Sequence, residues 1–487
     1  MTRLLRLALL VALAGGVLVI PGDALANHLC NTTIIVPGSL VILTHNQNCP
    51  AGTAMTIDAD FVTLDLGGFA VSGHGTGDIG IDVTAGSDHV LITNGVVRGF
   101  DTGIRAGDCT VQIPPITDTD DFTIDSVSVR NSGTTGIELC PSEGDMLVRL
   151  TSVLGATTGI DTAGGVAGSG GTTAIDRVVV NDTSTGIRLA PIDFGQSYVQ
   201  HSLVRDASAM GVSVSLGGCC SYAEVGDSTI RGCSGCHRGI SASGQGELVV
   251  AQNTVRHWDI VGIETNNVSN VTIEDNVVRS IGGSGLFTGA ILLFDQDFNT
   301  GALVASNIVR NVTGGPGIHL SCAQGVAVED SVMSSIDGDG ILVDDVPPSG
   351  LQCGPGVVSQ ADVLRHNLLL GMGGNGVAIV SGDGYTLSDN NVAASVLDGY
   401  FIGSAVAGCC GTEGAYLSDN IGRANGDDGF QLDTSSLELT SNLSRDNTGF
   451  GFETNFAGPV DVDNGQTALN NLAGNCSDPS DLPSTAC

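Results

Sequence analysis

"VTIEDNVVRSIGGSGLF", from Val271 to Phe287, decides the fold of this chain. Alone it reads as one buried strand with a stray Asn276, a stray Arg279 and a Gly285-Leu286 pair. The Gly-apolar pair is not isolated. It recurs at Gly80-Ile81, Gly103-Ile104, Gly136-Ile137, Gly159-Ile160, Gly186-Ile187, Gly211-Val212, Gly239-Ile240 and Gly262-Ile263. Beyond the stretch it returns at Gly317-Ile318, Gly340-Ile341, Gly376-Val377, Gly399-Tyr400, Gly429-Phe430 and Gly451-Phe452. The shortest spacings are 22–23 residues, and longer ones read as insertions.

The asparagine keeps the same period. Asn253, Asn276, Asn367, Asn390, Asn420 and Asn442 each lie nine residues before their glycine, and Asn307 lies ten before. Ser202, Ser228 and Ser331 take the place elsewhere. An apolar-x-apolar triplet precedes each, as in "VTIEDN", "YTLSDN" and "LELTSN". Alternation of period 2 with Gly, Asn and Asp punctuation excludes amphipathic helices. A period this short also excludes propeller blades of about 40 residues. What remains is a coil of three short strands, each coil stacked on the next at roughly 4.8 Å. Stacked asparagines then bond up and down a ladder. No coil buries its apolar face alone, so stability comes from its neighbours. Fifteen Gly-apolar pairs predict about 15 coils.

The "V-x-I-x-x-N-x-V…G-I-x-L" repeat resembles that of the right-handed parallel β-helix proteins of the pectin lyase-like superfamily. "VTLDLGGFAVSG" with "SDHVLITNGVVRGFDTGI", within Val62–Ile104, resembles the first turns of many bacterial members. The resemblance covers roughly residues 57–475 and implies an all-β, right-handed single-stranded parallel β-helix. It implies little about activity, because the fold hosts lyases, hydrolases, epimerases and non-enzymes. The expected organisation is a signal peptide over 1–26, an N-terminal cap over 27–56, the β-helix over 57–475 and a tail over 476–487.

The signal peptide rests on Arg3 and Arg6, the apolar run Leu7–Ile20 and the small-x-small Ala24-Leu25-Ala26. Cleavage near Ala26 implies a secreted or periplasmic protein with no membrane insertion. The formal net charge is −35, and all 17 basic residues are arginine. That excludes nucleic acid as a partner and removes lysine chemistry. With 41% apolar residues the chain is not a disordered acidic polymer.

Fourteen cysteines in an exported chain predict disulfides. The insertions fall mostly after the Gly-apolar strand, and the cysteines cluster there. Cys109 and Cys140 lie just past Gly-Ile strands on adjacent coils, as do Cys322 and Cys353. Both pairs are expected as staples, with Cys30–Cys49 and Cys476–Cys487 pinning the ends. Among Cys219, Cys220, Cys233 and Cys236 the pairing is open, and zinc competes through the CxxC. Cys409-Cys410 could form a vicinal bridge.

The residue after each Gly-apolar pair must face outward. That column contains Arg105, Glu138, Asp161, Arg188, Glu264, Phe287 and His319. In the resembled enzymes this face carries the active site. Glu138 and Asp161 on adjacent coils are the first candidate acid/base pair, with Glu264 as a third carboxylate and Arg105 and Arg188 as substrate-binding flanks. Against this, flanking arginines would hold both carboxyls ionised, leaving a salt-bridged surface ladder. Trp258 and Asp259, with Phe287 and His319, form a second candidate site suited to sugar stacking; the competing reading is a packed turn aromatic. "DQDFNTG" opens like a calcium loop through Asp295, Asp297 and Asn299, but its glycine is one place late and no Glu closes it. "DTDD" (Asp118–Asp121) and "DVDNG" (Asp461–Gly465) are weaker, since Asp in turns is mostly local capping. The Asp-Pro-His-Asp of alginate epimerases and the Asn-Thr-Asp of polygalacturonases are absent, and six scattered methionines give no copper signal.

Arg279 also belongs to a column. Arg98, Arg130, Arg205, Arg231, Arg256, Arg310, Arg423 and Arg445 stand at its place, five of the nine from Arg205 to Arg310 on successive coils. The expectation is pairing with aspartates such as Asp206 and Asp227; the alternative is a stripe for an anionic ligand. The functional expectation is a secreted protein that binds or processes polysaccharide, hydrolase-like or lyase-like, with calcium as a possible cofactor. The alternative is a non-catalytic extracellular structural or interaction protein with the β-helix as spacer.

Overall fold

A computed structural model describes residues 17–19, 29–74, 77–107, 121–140, 144–162, 171–191, 194–282, 288–294, 301–345, 359, 362–403, 413–434, 436–454, 460–462 and 465–477. Among them every regular element is a strand, and the strands pair in parallel. The chain divides into two compact units, Met1–Thr183 and Ser184–Cys487.

In the first unit one sheet runs through Thr32–Ile34, Met55–Ile57, Ile79–Val83, Thr102–Ala106 and Thr135–Leu139, then into Ser152–Asp161. A second runs through Leu40–Ile42, Thr63–Asp65, Leu91–Arg98, Phe122–Arg130, Met146–Arg149 and Thr172–Asp176. Strands within 27–56, Thr32–Ile34 and Leu40–Ile42, already pair with those that follow. Val17–Val19 pairs in parallel with Leu40–Ile42.

The second unit repeats the plan. Arg238–Ala251, Val261–Asn266, Gly289–Phe294, Ile318–Ser321, Ile341–Asp344 and Val377–Ile379 stack in order. Here one rung differs from the sequence reading. Ile263 pairs with Ile291 and Ile291 with Ile318, so Ala290, not Gly285, takes the glycine's place. The extra residues of that coil fall between Asn276 and the strand, an interval expected to be fixed. Residues 283–287, including Phe287, lie outside the described residues, and Leu292 holds the column position assigned to Phe287.

The asparagine ladder is present. Asn276 Oδ1 accepts from the backbone N–H of Asn253 at 2.9 Å and from its Nδ2 at 3.1 Å. Asn307 Oδ1 does the same for Asn276. Ser331 Oγ bridges to the next run, in which Asn367, Asn390, Asn420 and Asn442 repeat the pattern. Each Nδ2 also donates to a strand carbonyl, as Asn390 does to Leu364 at 2.7 Å. These amides are at most 1% exposed, so leaving one unpaired would cost about 1–3 kcal/mol. Before most ladder residues stands one with positive φ: Gln252, Asp275, Ser306, Asp330, His366, Asp389, Asp419 and Ser441. That left-handed residue turns the corner, which explains the Asp so often found before the asparagine.

Valines and isoleucines fill the interior in columns; Val255, Val278 and Val309 are fully buried. Further along, Tyr400, Phe430 and Phe452 stack with ring centroids 4.6 and 4.9 Å apart. Cys30–Cys49 is a disulfide as expected. Cys140, Cys322 and Cys476 are each disulfide-bonded, while Cys109, Cys353 and Cys487 lie outside the described residues, as do Cys409 and Cys410. Cys233 bridges Cys236, which removes both thiolates from a zinc site.

Candidate functional site

Strand register builds the outward column of the first unit. Asp82, Arg105, Glu138 and Asp161 occupy four successive rungs. Parallel pairing places such neighbours roughly 4.8 Å apart along the backbone. Arg105 donates to both carboxylate oxygens of Asp82, from Nε at 2.9 Å and a terminal nitrogen at 3.0 Å. The fork is therefore committed on one side. Burial pushes the Glu138 carboxyl above its ordinary range; Arg105 opposes the shift, and Asp161 and Asp82 reinforce it. Flanking arginines were expected to hold this carboxyl low; the direction of its shift is set by desolvation instead, and the Arg105 fork faces Asp82. This raised carboxyl stands one rung from a second carboxyl, Asp161. Arg188 stands exposed at the outward position of Val179–Leu189.

Other expected site residues hold the fold instead. Trp258 is 0% exposed and donates from Nε1 to the Ile230 carbonyl at 3.3 Å. A β-carbon on Gly232 would lie 2.8 Å from its ring, and one on Gly211 3.0 Å, so glycines clear its space. A ring enclosed by the coil offers no face to a sugar, and the substrate-binding role of Trp258 is withdrawn. Asp259 accepts the backbone N–H of Gly235 at 2.6 Å, fixing the loop of the Cys233–Cys236 bridge. Glu264 pairs with Arg238 at 2.6 Å and accepts from Ser241 at 3.1 Å, so this carboxylate is not a free catalytic group. His319 is 2% exposed, with Nε2 3.1 Å from Asp344. Asp295, Asp297 and Asn299 lie outside the described residues.

The sequence reading missed buried acids in the second unit. The residue before each repeated glycine forms a ladder of its own. Asp339 accepts from the N–H of Asn375, Asn375 from that of Asp398, Asp398 from that of Asp428 and Asp428 from that of Phe450. The signal was present as a polar residue preceding Gly340, Gly376, Gly399 and Gly429. Burial raises Asp398 to about 6 and Asp428 to about 8, the latter reinforced by Glu453. Asp398, Asp427 and Asp428 each offer an oxygen within 4.8 Å of the others, a donor set suited to a hard cation. Asp362 is stranger. It continues the inward column of Val326 and is fully buried, its Oδ1 accepting the Val326 N–H at 2.8 Å. Burial, with Asp345 nearby, raises it to about 8.

The arginine column is in register. Arg205, Arg231, Arg256, Arg279 and Arg310 pair rung to rung across five coils, and Ser334 ends the run. The expected aspartate partners are absent: among the described residues none of the five makes an ion pair, and Asp227 lies 3.9 Å from His201 instead. Asp227 stands at the corner, at positive φ, just before the buried Ser228. Like charges about 5 Å apart in water repel by roughly 1 kcal/mol per pair. The arginines of the first unit differ, since Arg98 donates to Ser72 and Arg130 to Ser128. An open groove of about 520 Å³ surrounds Arg98, lined by Asn48, Ser72, His74 and Asn131 among others.

Comparison with known proteins agrees with this architecture. Residues 221–393 match the family described as the right handed beta helix region. The fold itself is an all-β parallel solenoid, consistent with a right-handed β-helix, and the match covers its middle part. No protein of curated function matches it. Among solved structures it is similar to the periplasmic alginate epimerase AlgG, at 12% identity over 94% of this chain and 83% of that one, TM-score 0.37. It is also similar to the A-module of the Azotobacter vinelandii mannuronan C-5 epimerase AlgE4, at 13% identity over 88% and 91%, TM-score 0.27. A tailspike protein of E. coli bacteriophage HK620, in complex with a pentasaccharide, gives 10% identity over 90% and 73%, TM-score 0.36. Likeness of this degree carries no chemistry across. Among the described residues no helix is long and apolar enough to cross a membrane.

Proposed function

We propose that the protein is an exported β-helix that binds or processes polysaccharide through the outward face of its first unit. One observation carries the reading: Glu138, half-buried and shifted toward its protonated form, stands one rung from Asp161. A carboxyl whose pKa is raised by burial, beside a second carboxyl, suits general acid/base attack on a glycosidic bond. Rung spacing is close to the about 5–5.5 Å between the two carboxyls of retaining glycosidases. Arg105, held flat by Asp82, offers the same face a fixed cation. Export by cleavage near Ala26 belongs to the same proposal. So does calcium, whether on the Asp295–Asn299 loop or on Asp398, Asp427 and Asp428.

The test is a glycan panel with and without calcium, read for both bound sugar and new reducing ends. The expected result is one responding glycan class, with Glu138→Gln cutting turnover about 100-fold or more, as for loss of a general acid. Binding without cleavage, weakened by Glu138→Gln, would identify a recognition module. If no glycan is bound or cut, the polysaccharide reading fails and the extracellular structural protein stands.

A further inference from the structure

The arginine ladder of the second unit has no place in the carboxylate face. Five guanidiniums stand in register on consecutive coils, in a chain whose acidic residues outnumber its basic ones by 52 to 17. Arg205, Arg231, Arg279 and Arg310 are exposed and Arg256 half-buried. With so many carboxylates available, the described residues still supply no ion pair to any of the five. The Nε of Arg256 is shut off from solvent and makes no hydrogen bond. Leu203, Thr229, Thr254, Val277 and Ile308, two residues earlier on each coil, form a half-buried, mostly β-branched strip beside the charges. His257 reports the field: burial lowers its pKa first, and Arg256, Arg231 and Arg279 lower it further.

We infer that this stripe binds a linear polyanion laid along the stacking direction, one anionic group per rung. Like charges held directly opposite one another destabilise a sheet unless something answers them. A periodic polymer answers all five at once, with each bound charge raising the effective concentration of the next. Arginine suits the task, because its planar fork grips carboxylate or sulfate through two parallel hydrogen bonds. Six-membered sugar rings carrying one acid group each repeat at close to the rung spacing. A nucleic-acid duplex, with one charge per about 3.4 Å of axis on each strand, falls out of step with the rungs. The apolar strip beside the arginines provides a surface for the ring faces. The ligand is therefore an acidic polysaccharide. The choice of a sugar polymer rests on the polysaccharide reading above; the polyanion does not.

The experiment uses the full chain and calorimetric titration with uronic-acid oligomers of one to six residues, sulfated oligosaccharides, a neutral glucan and polyaspartate. The expected result is affinity for an acidic sugar series that rises with each residue up to five and then levels. Affinity should fall at least about tenfold between roughly 50 and 200 mM salt, as counterions compete. The triple variant Arg231→Gln/Arg256→Gln/Arg279→Gln should lose about 100-fold in affinity, as charge-assisted contacts at the centre of the run disappear. Its melting temperature should equal or exceed that of the parent, because repulsion is removed, and this shows that it folds. The His257 resonance should titrate at higher pH with ligand bound. Carboxylate against sulfate preference identifies the source of the charge. Glu138→Gln should leave this binding intact, so the two faces fail or stand separately. Absence of binding to every acidic sugar, binding of polyaspartate alone, or undiminished affinity in the triple variant each overturns the inference.

Discussion

The two units solve one packing problem in two ways. In the second, the inner corner of each coil holds a buried amide or hydroxyl from Ser202 through Asn442. In the first, the equivalent corner holds Gly95, Val127 and Thr151, each two residues before a buried valine that aligns with its neighbours. Thr151 Oγ1 accepts from the N–H of Val127 on the neighbouring coil at a long 3.4 Å and donates within its own coil to the Arg149 carbonyl at 2.8 Å, where Asn276 Oδ1 accepts twice from the neighbouring coil near 3 Å. Charge is divided oppositely. The first unit alternates Asp82, Arg105, Glu138 and Asp161 on one face and ties its column arginines to serines. The second leaves five arginines stacked outside and several acids inside. A parallel coil thus tolerates either chemistry, mixed signs along one column or a single sign along another.

Three experiments sharpen this contrast. The largest effect should come from Asn390→Ala. It removes the acceptor for the backbone and side chain of Asn367 and the donors to Leu364 and Asn420. With four buried bonds affected, the expected cost is about 4 kcal/mol in chemical denaturation. Thr151→Val, at the corresponding corner of the first unit, should cost no more than about 1 kcal/mol. Equal costs would break the comparison.

The next effect is pH dependence. The folded value of Asp362, about 8, lies above the ordinary 3.8, so the folded state favours the protonated acid. That contribution is complete below 3.8 and is lost as pH rises through about 8. Asp398 and Asp428 act in the same direction. Denaturation midpoints should therefore fall between pH 6 and 8, by roughly 2 kcal/mol for one proton over that window. Asp362→Asn should remove much of the slope while retaining the bond to Val326. A slope unchanged by that substitution would show that another group holds the proton. The smallest effect belongs to Asp82→Asn. Its partner Arg105 is partly exposed, with side-chain exposure of 34%, so stability should change by less than about 1 kcal/mol. The larger signature would be a fall in the raised pKa of Glu138, since the charge of Asp82 no longer raises it and the released guanidinium can turn toward it; NMR titration reads this directly.

Much of the coil was legible before any coordinates. Period, ladder and Gly-apolar strand all follow from residue spacing, because a stacked repeat puts the same residue type in the same environment each time. The misreadings share a cause. Gly285-Leu286 matched the spacing, yet Ile291 takes the rung, because a period fixes the average coil and not the coil that carries an insertion. Trp258 and Asp362 sit in inward positions, which composition does not reveal: an aromatic beside acids suggests a sugar site until glycines are seen to clear room for it within the core.

The sequence by itself determined the repeating strand, its outward and inward columns and the alignment of five arginines, because these depend only on position within a period. Tertiary structure decided what each column meets. It gave Arg105 a carboxylate and left Arg256 without one. It shifted Glu138 upward through burial that no spacing records, and it enclosed Trp258. The physical reason is that a pKa, an ion pair or an exposed face depends on desolvation and on approach from neighbouring coils, and those distances exist only once the coils are stacked.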